Sequence, residues 1–110
     1  RSAIYEVYIR NYLINQGICK VNDLQKASVN YVSAKAQSNW LEQMLKAQFL
    51  TDEELRIIKR ARNHKSHGSP KNTDIVTYKR ATGFEALIGY LQLTGNNKRI
   101  KEIIDYIVGG

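Results

Sequence analysis

The sequence predicts an all-α fold, a bundle of about six helices, and three observations predict it. Apolar residues recur at spacings of three and four along most of the chain, the period of one helix face. The stretches with this spacing are divided by Gly17, Gly95 and the run Gly68-Ser69-Pro70, residues that end helices or forbid regular structure. Asn22 and Thr51 stand ahead of two of these stretches, as capping residues do.

The first helix is expected over 3–16, apolar at Ile4, Tyr5, Val7, Tyr8, Ile9, Tyr12, Leu13 and Ile14. That is too broad for one stripe, so burial on more than one side is expected before Gly17 stops it. Asn22, with Gln25 three residues on, reads as a capping box for a short second helix ending near Tyr31. A third, from about Ser33, turns Ala36, Trp40, Leu41, Met44 and Leu45 inward and closes before Phe49. Thr51 with Glu54 at the third helical position, and Asp52 and Glu53 between, is the clearest start in the chain. A hydroxyl and carboxylates there satisfy unpaired N–H groups at the positive end of the dipole.

This fourth helix carries Leu55, Ile58 and Ala61 on its inner side and finishes on Arg60, Arg62, His64 and Lys65, where cations complement the negative end. A fifth, from near Asp74 or Val76 to Leu93, buries Phe84, Leu87, Ile88 and Leu91; a sixth, about Asn97 to Val108, shows Ile100, Ile103, Ile104 and Ile107 at helical spacing. Trp40 and the apolar residues of the fifth helix are the expected centre of the core.

Length and composition bound the rest. A chain of 110 residues, 43% hydrophobic and 25% charged, fits one globular domain, 1–110. No apolar run is long enough to span a bilayer, and the opening RSAIYEVYIR mixes charge into its apolar residues as no signal peptide does, so a cytoplasmic address without membrane contact is expected. Lone Cys19 has neither a disulfide partner nor a second thiol for zinc. No GxGxxG, P-loop, GxSxG or HExxH pattern occurs, which leaves small-molecule cofactors and triad chemistry without support. His64 and His67 have no nearby carboxylate cluster and read as surface polar groups, and the seven tyrosines read mainly as packing.

Charge is unevenly placed. Between Lys59 and Arg80 lie seven cations against Asp74 alone, so +6 of the net +7 sits in one stretch. Such a segment attracts polyanions, phosphate backbones first among them; a solvated helix end plus a solubilising loop is the other account. One carboxylate stands out as well. Glu85 lies inside the apolar run GFEALIGYL with Ala81, Thr82, Ala86 and Gly89 around it, small residues that leave room for a metal ion or a phosphate. Read alone, a Glu on the solvent stripe of an amphipathic helix is the simpler account.

The run FEALIGYL, Phe84 to Leu91, resembles the second signature helix of ribonuclease III. AIYEVYIR, Ala3 to Arg10, resembles its first signature helix. VSAKAQ, Val32 to Gln37, and the loop SPKNTD with its preceding RARN look like the Mini-III subclass, relatives of ribonuclease III that carry no separate double-stranded RNA-binding domain. The similarity spans essentially the whole chain. It implies a ribonuclease III-like endonuclease domain that forms a homodimer, holds double-stranded RNA and hydrolyses phosphodiesters with Mg2+, leaving a 5′-phosphate and a 3′-hydroxyl. The family role is maturation of the 23S ribosomal RNA precursor. The Glu of the second signature, a metal ligand in the family, is Glu85 here. The family's RNA-engaging loop passes its role to Arg60, Arg62, Lys65 and Lys71, with Asn63 and Asn72 as hydrogen-bonders to phosphate or sugar.

Two departures bear on activity. Thr82 stands where ribonuclease III places an Asp three residues before the Glu, which matches the Mini-III pattern. At the start the family motif reads Gly-Asp-Ala, whereas this chain reads Arg1-Ser2-Ala3. Ser2 therefore occupies the position of the family's metal-binding Asp, and the helix that precedes this motif in relatives is not in the sequence. Arg80 and Gln92 also stand where the family has aromatic residues. The resemblance thus implies two readings: an active endoribonuclease, or a catalytically impaired or engineered member that binds RNA or assembles without cleaving.

Overall fold

A computed structural model describes residues 3–18, 20–63 and 74–109. Among them run six helices and no strand: α1 (Ala3–Asn15), α2 (Val21–Val32), α3 (Ala34–Lys46), α4 (Asp52–Asn63), α5 (Ile75–Leu93) and α6 (Asn97–Gly109). Cys19, His64, His67 and the Gly68-Ser69-Pro70 break lie outside the described residues.

α5 is the axis of the bundle, packed most extensively on α4 and α3 and also touching α1 and α6. Phe84, Leu87 and Ile88 are fully buried there against Ile9 of α1, Leu41 and Met44 of α3, and Ile100 and Ile103 of α6. Tyr5 meets Phe84 edge-on, ring centroids 5.0 Å apart, an arrangement favoured by the ring quadrupoles. At Gly83 α5 packs tightly on α4: a Cβ there would stand 3.0 Å from Ile58 Cγ2 and 3.3 Å from Arg62 Cγ.

Three helices end in one motif. After α1, α3 and α5 the chain turns through a left-handed residue, Gly17, Gln48 and Gly95, at φ 92°, 53° and 75°. The next N–H reaches back five residues, Ile18 to Leu13 at 3.2 Å, Phe49 to Met44 at 3.0 Å and Asn96 to Leu91 at 2.8 Å, the pattern of a Schellman cap. Gln48 alone does this with a side chain, in a region where an L residue costs roughly 1–2 kcal/mol. Gln48→Gly is therefore expected to raise stability by about 1 kcal/mol after the greater unfolded-state freedom of Gly is counted, checked by urea unfolding at unchanged m-value.

The start signals held in one case and failed in another. Thr51 and Glu54 form the expected reciprocal box, Thr51 N–H donating to Glu54 Oε1 at 2.9 Å and Glu54 N–H to Thr51 Oγ1 at 3.1 Å. The Asn22–Gln25 box does not form. α2 starts at Val21, behind an extended Lys20 that caps with no side chain, so Asn22 already lies within the helix. The elaborate end of α2 is the other one. Ser33 Oγ caps α3 by accepting from Ala36 N–H at 3.1 Å. Tyr5 OH donates to Tyr31 C=O at 2.7 Å and Gln37 Nε2 to Val32 C=O at 2.8 Å, so one side chain from α1 and one from α3 satisfy carbonyls the helix leaves unpaired. Burial and the neighbouring Tyr31 hydroxyl raise the Tyr5 pKa strongly.

Burial corrects three further expectations. α1 buries one broad side, Tyr5, Ile9 and Leu13 flanked by half-buried Tyr8 and Tyr12, while Val7 and Ile14 are exposed; its partners α2, α5 and α6 all lie on that side. Trp40 is half-buried, because Tyr31 stacks on it at the edge of the core, centroids 6.0 Å apart. On α4 the inner residues are Glu54, Ile57, Ile58 and Ala61, and Leu55 is exposed. A carboxylate took the inward position because it has a partner there, Arg99.

Candidate active site

Each expected site residue can be located or set aside. Ser2, Lys65, Lys71 and Asn72 lie outside the described residues. Arg60 and Asn63 are exposed and Arg62 half-buried on the last turn of α4, so the local end of the basic run gathers three of the expected RNA contacts at a helix C-terminus. The stem of Arg62 lies against Gly83 of α5, which fixes where its guanidinium leaves the surface.

Glu85 is half-buried on α5. It stands two residues beyond Gly83, about 200° round the helix at 100° per residue, and so leaves α5 on the side away from α4. The described residues therefore do not bring Glu85 and Arg62 onto one face. Around Glu85 the expected small residues are in place: Ala81 is buried, Thr82, Ala86 and Gly89 are half-buried, and a Cβ on Gly89 would meet nothing within 4 Å.

The basic run is smaller than its sequence count. Arg80 Nη1 sits 3.0 Å from Glu42 Oε2 on α3, and Lys46 Nζ 3.0 Å from the other oxygen of the same carboxylate. The Lys46 hydrogen bond, its charge and that of Arg80 hold the Glu42 carboxyl below the usual range. Arg80 thus ties α5 to α3. Sequence reasoning missed this pairing because its partners are 38 residues apart and no local spacing links them.

A depression of about 540 Å³ opens between the start of α4, the end of α5 and the start of α6, with Thr51, Glu53, Tyr90, Asn96 and Arg99 on its walls. Its polar groups satisfy one another: Tyr90 OH donates to Glu53, Arg99 N–H to Asn96 Oδ1 at 3.2 Å, and the Arg99 guanidinium to Glu54. That cleft is architecture. Among the described residues no group of three or more His, Cys, Asp or Glu could hold a metal ion, and no helix is long and apolar enough to cross a membrane.

A helical bundle whose central helix carries one acidic residue, with cations at a neighbouring helix end, defines a class, and comparison gives it a family. The ribonuclease III domain matches residues 2–96, so the chain belongs to the ribonuclease III family and is by that membership an endoribonuclease, a hydrolase. Its relatives narrow the branch. Mini-ribonuclease 3 of Enterococcus faecalis is 49% identical over 106 residues, 96% of this chain and 80% of that protein. Mini-ribonuclease 3 of Streptococcus pneumoniae is 45% identical over 96% of this chain and 83% of its own length, and that of Brevibacillus brevis 51% identical over 93% and 75%. A crystal structure of a Fusobacterium nucleatum protein is similar at a TM-score of 0.84 and 34% identity, covering 98% of this chain and 84% of that one. The resemblance read from FEALIGYL, VSAKAQ and SPKNTD is borne out.

Proposed function

We propose that this protein is an endoribonuclease of the Mini-III type, built to bind double-stranded RNA and to hydrolyse its phosphodiesters with magnesium, with 23S ribosomal RNA precursor as substrate and the cytoplasm as its place of work. The observation that carries the reading is Glu85, half-buried on the central helix among small residues, within the segment that matches the family. Arg60 and Arg62, with Lys65 and Lys71 of the segment that follows, neutralise phosphates; Asn63 and Asn72 bond phosphate or sugar oxygens. A homodimer fits the outer edge of α5, where Ile75 and Leu93, five turns apart, are 59% and 89% exposed.

Magnesium takes oxygen donors and is held by one or two carboxylates together with waters and substrate phosphates. Glu85 offers one carboxylate, and at residue 2 the family's Asp is replaced by a neutral hydroxyl. The ion would thus have one protein carboxylate where the family has two and would be weakly held, so the chain with Ser2 is expected to bind duplex RNA and to cleave it slowly or not at all.

The binding half has its own test. Replacing Arg62, Lys65 and Lys71 by Ala is expected to weaken duplex RNA binding about equally across sequences. Each lost phosphate contact flattens the plot of log affinity against log salt by somewhat less than one unit. An unchanged slope would mean that the cluster is only a solvated helix end.

A further inference from the structure

Between the end of α2 and the outer face of α3 lies a pocket of about 300 Å³, lined by Val29, Asn30, Ser33, Lys35, Asn39, Trp40 and Gln43 together with Ala36. Three of these side chains are carboxamides, and Asn30, Asn39 and Gln43 are all exposed. A carboxamide presents a donor and an acceptor side by side, the arrangement that pairs with the edge of a nucleobase. No carboxylate lines the pocket, and exposed Lys35 stands at its rim. The occupant this chemistry suits is a planar group with a mixed donor and acceptor edge, joined to an anion. Trp40 adds an aromatic wall, stacked on Tyr31 at an interplanar angle of 19°.

The pocket carries its own cation, Lys35, in line with two of the carboxamides. Lys35, Asn39 and Gln43 follow one another at i, i+4 and i+8 along α3, and Glu42, the residue before Gln43, holds Arg80 of α5 at 3.0 Å. We propose that this pocket takes an unpaired nucleotide of a bound RNA, its base edge on the carboxamides and its phosphate on Lys35, so that the protein prefers a duplex carrying a bulged or overhanging nucleotide to a blunt one. Unpaired bases are the part of an RNA that side chains can read in this way. The proposal rests on the duplex-binding reading above.

Trp40 is the sole tryptophan of the chain, so its emission reports on this pocket. Titration in magnesium-free buffer with a blunt RNA duplex, and with the same duplex bearing one unpaired nucleotide, is expected to quench Trp40 only in the second case, with anisotropy of labelled RNA showing about tenfold tighter binding. The double variant Asn39→Ala/Gln43→Ala, both surface positions, should lose that preference and keep its affinity for the blunt duplex. Equal affinity for the two duplexes, or a preference that survives the double substitution, overturns the pocket alone. Failure to bind either duplex overturns the duplex-binding reading and the pocket with it.

Discussion

Ser2→Asp combined with Arg1→Gly is expected to convert the chain into a magnesium-dependent nuclease on duplex RNA, and Glu85→Gln added to that protein is expected to abolish the activity again. The physical case is charge. Two carboxylates can hold a divalent ion and offset its charge, whereas one carboxylate and a serine leave it weakly held, and Arg1 adds repulsion. Losing a metal ligand removes several kcal/mol of transition-state stabilisation, which at about 1.36 kcal/mol per decade is on the order of a thousandfold in rate. The gain from Ser2→Asp should therefore be of that order, and it should appear only with magnesium present. Glu85→Gln keeps the shape and removes the charge, so loss of activity in the repaired protein with RNA binding intact would place Glu85 at the chemistry. Full activity with Ser2 in place, or a repaired protein indifferent to Glu85→Gln, would mean that the ion is held elsewhere.

What the sequence revealed and what it hid divide along sequence distance. Helix positions were legible because their causes are local: the three-and-four spacing of Ile100, Ile103, Ile104 and Ile107, the left-handed turns at Gly17 and Gly95, the hydroxyl–carboxylate box at Thr51 and Glu54. The end of α3 was placed before Phe49 although no glycine marks it, since Gln48 takes a conformation its type does not announce. Asn22 misled because a capping pattern states only that a side chain could cap. Leu55 and Glu54 exchanged their expected places because an ion pair with a residue 45 positions away decided which faced inward. The same holds at the site. Glu85 and its small neighbours were visible in one helical run, and Arg60, Arg62 and Asn63 in one helix end. That Arg80 is held by Glu42, that Arg62 lies on Gly83, and that Glu85 leaves α5 on the other side depend on how helices are set against each other, which periodicity does not encode.

The Glu54–Arg99 pair carries the largest expected effect on stability. Arg99 Nε lies 2.7 Å from Glu54 Oε2 and Nη2 2.8 Å from Oε1, a two-pronged bond with side chains 15% and 5% exposed. Nη2 also donates to Phe49 C=O at 2.8 Å, and the guanidinium sits 4.5 Å over the Phe49 ring, which stacks on Tyr106 of α6. One carboxylate therefore caps α4 and anchors α6 to the turn before it. Glu54→Ala strands a buried guanidinium and deletes half of the capping box, a loss of about 3–5 kcal/mol, large against a total of roughly 5–15 kcal/mol. Arg99→Ala should cost a similar amount. The double substitution should cost clearly less than the sum, since neither charge is then left unpaired, and a simple sum of the two single losses would show that the pair is not coupled. The pH dependence has a definite sign. Burial raises the Glu54 pKa, but the hydrogen bonds from Arg99 and Thr51 and the Arg99 charge outweigh it and hold the carboxyl below the usual range. A carboxylate depressed on folding contributes its full stabilisation above the unfolded-state pKa and loses it as the pH falls through the folded one. Thermal unfolding followed from neutral into acid solution should therefore show the parent protein losing stability below the ordinary glutamate range, and Glu54→Ala losing less over the same interval. Parallel curves for the two proteins would assign the acid sensitivity to other carboxylates.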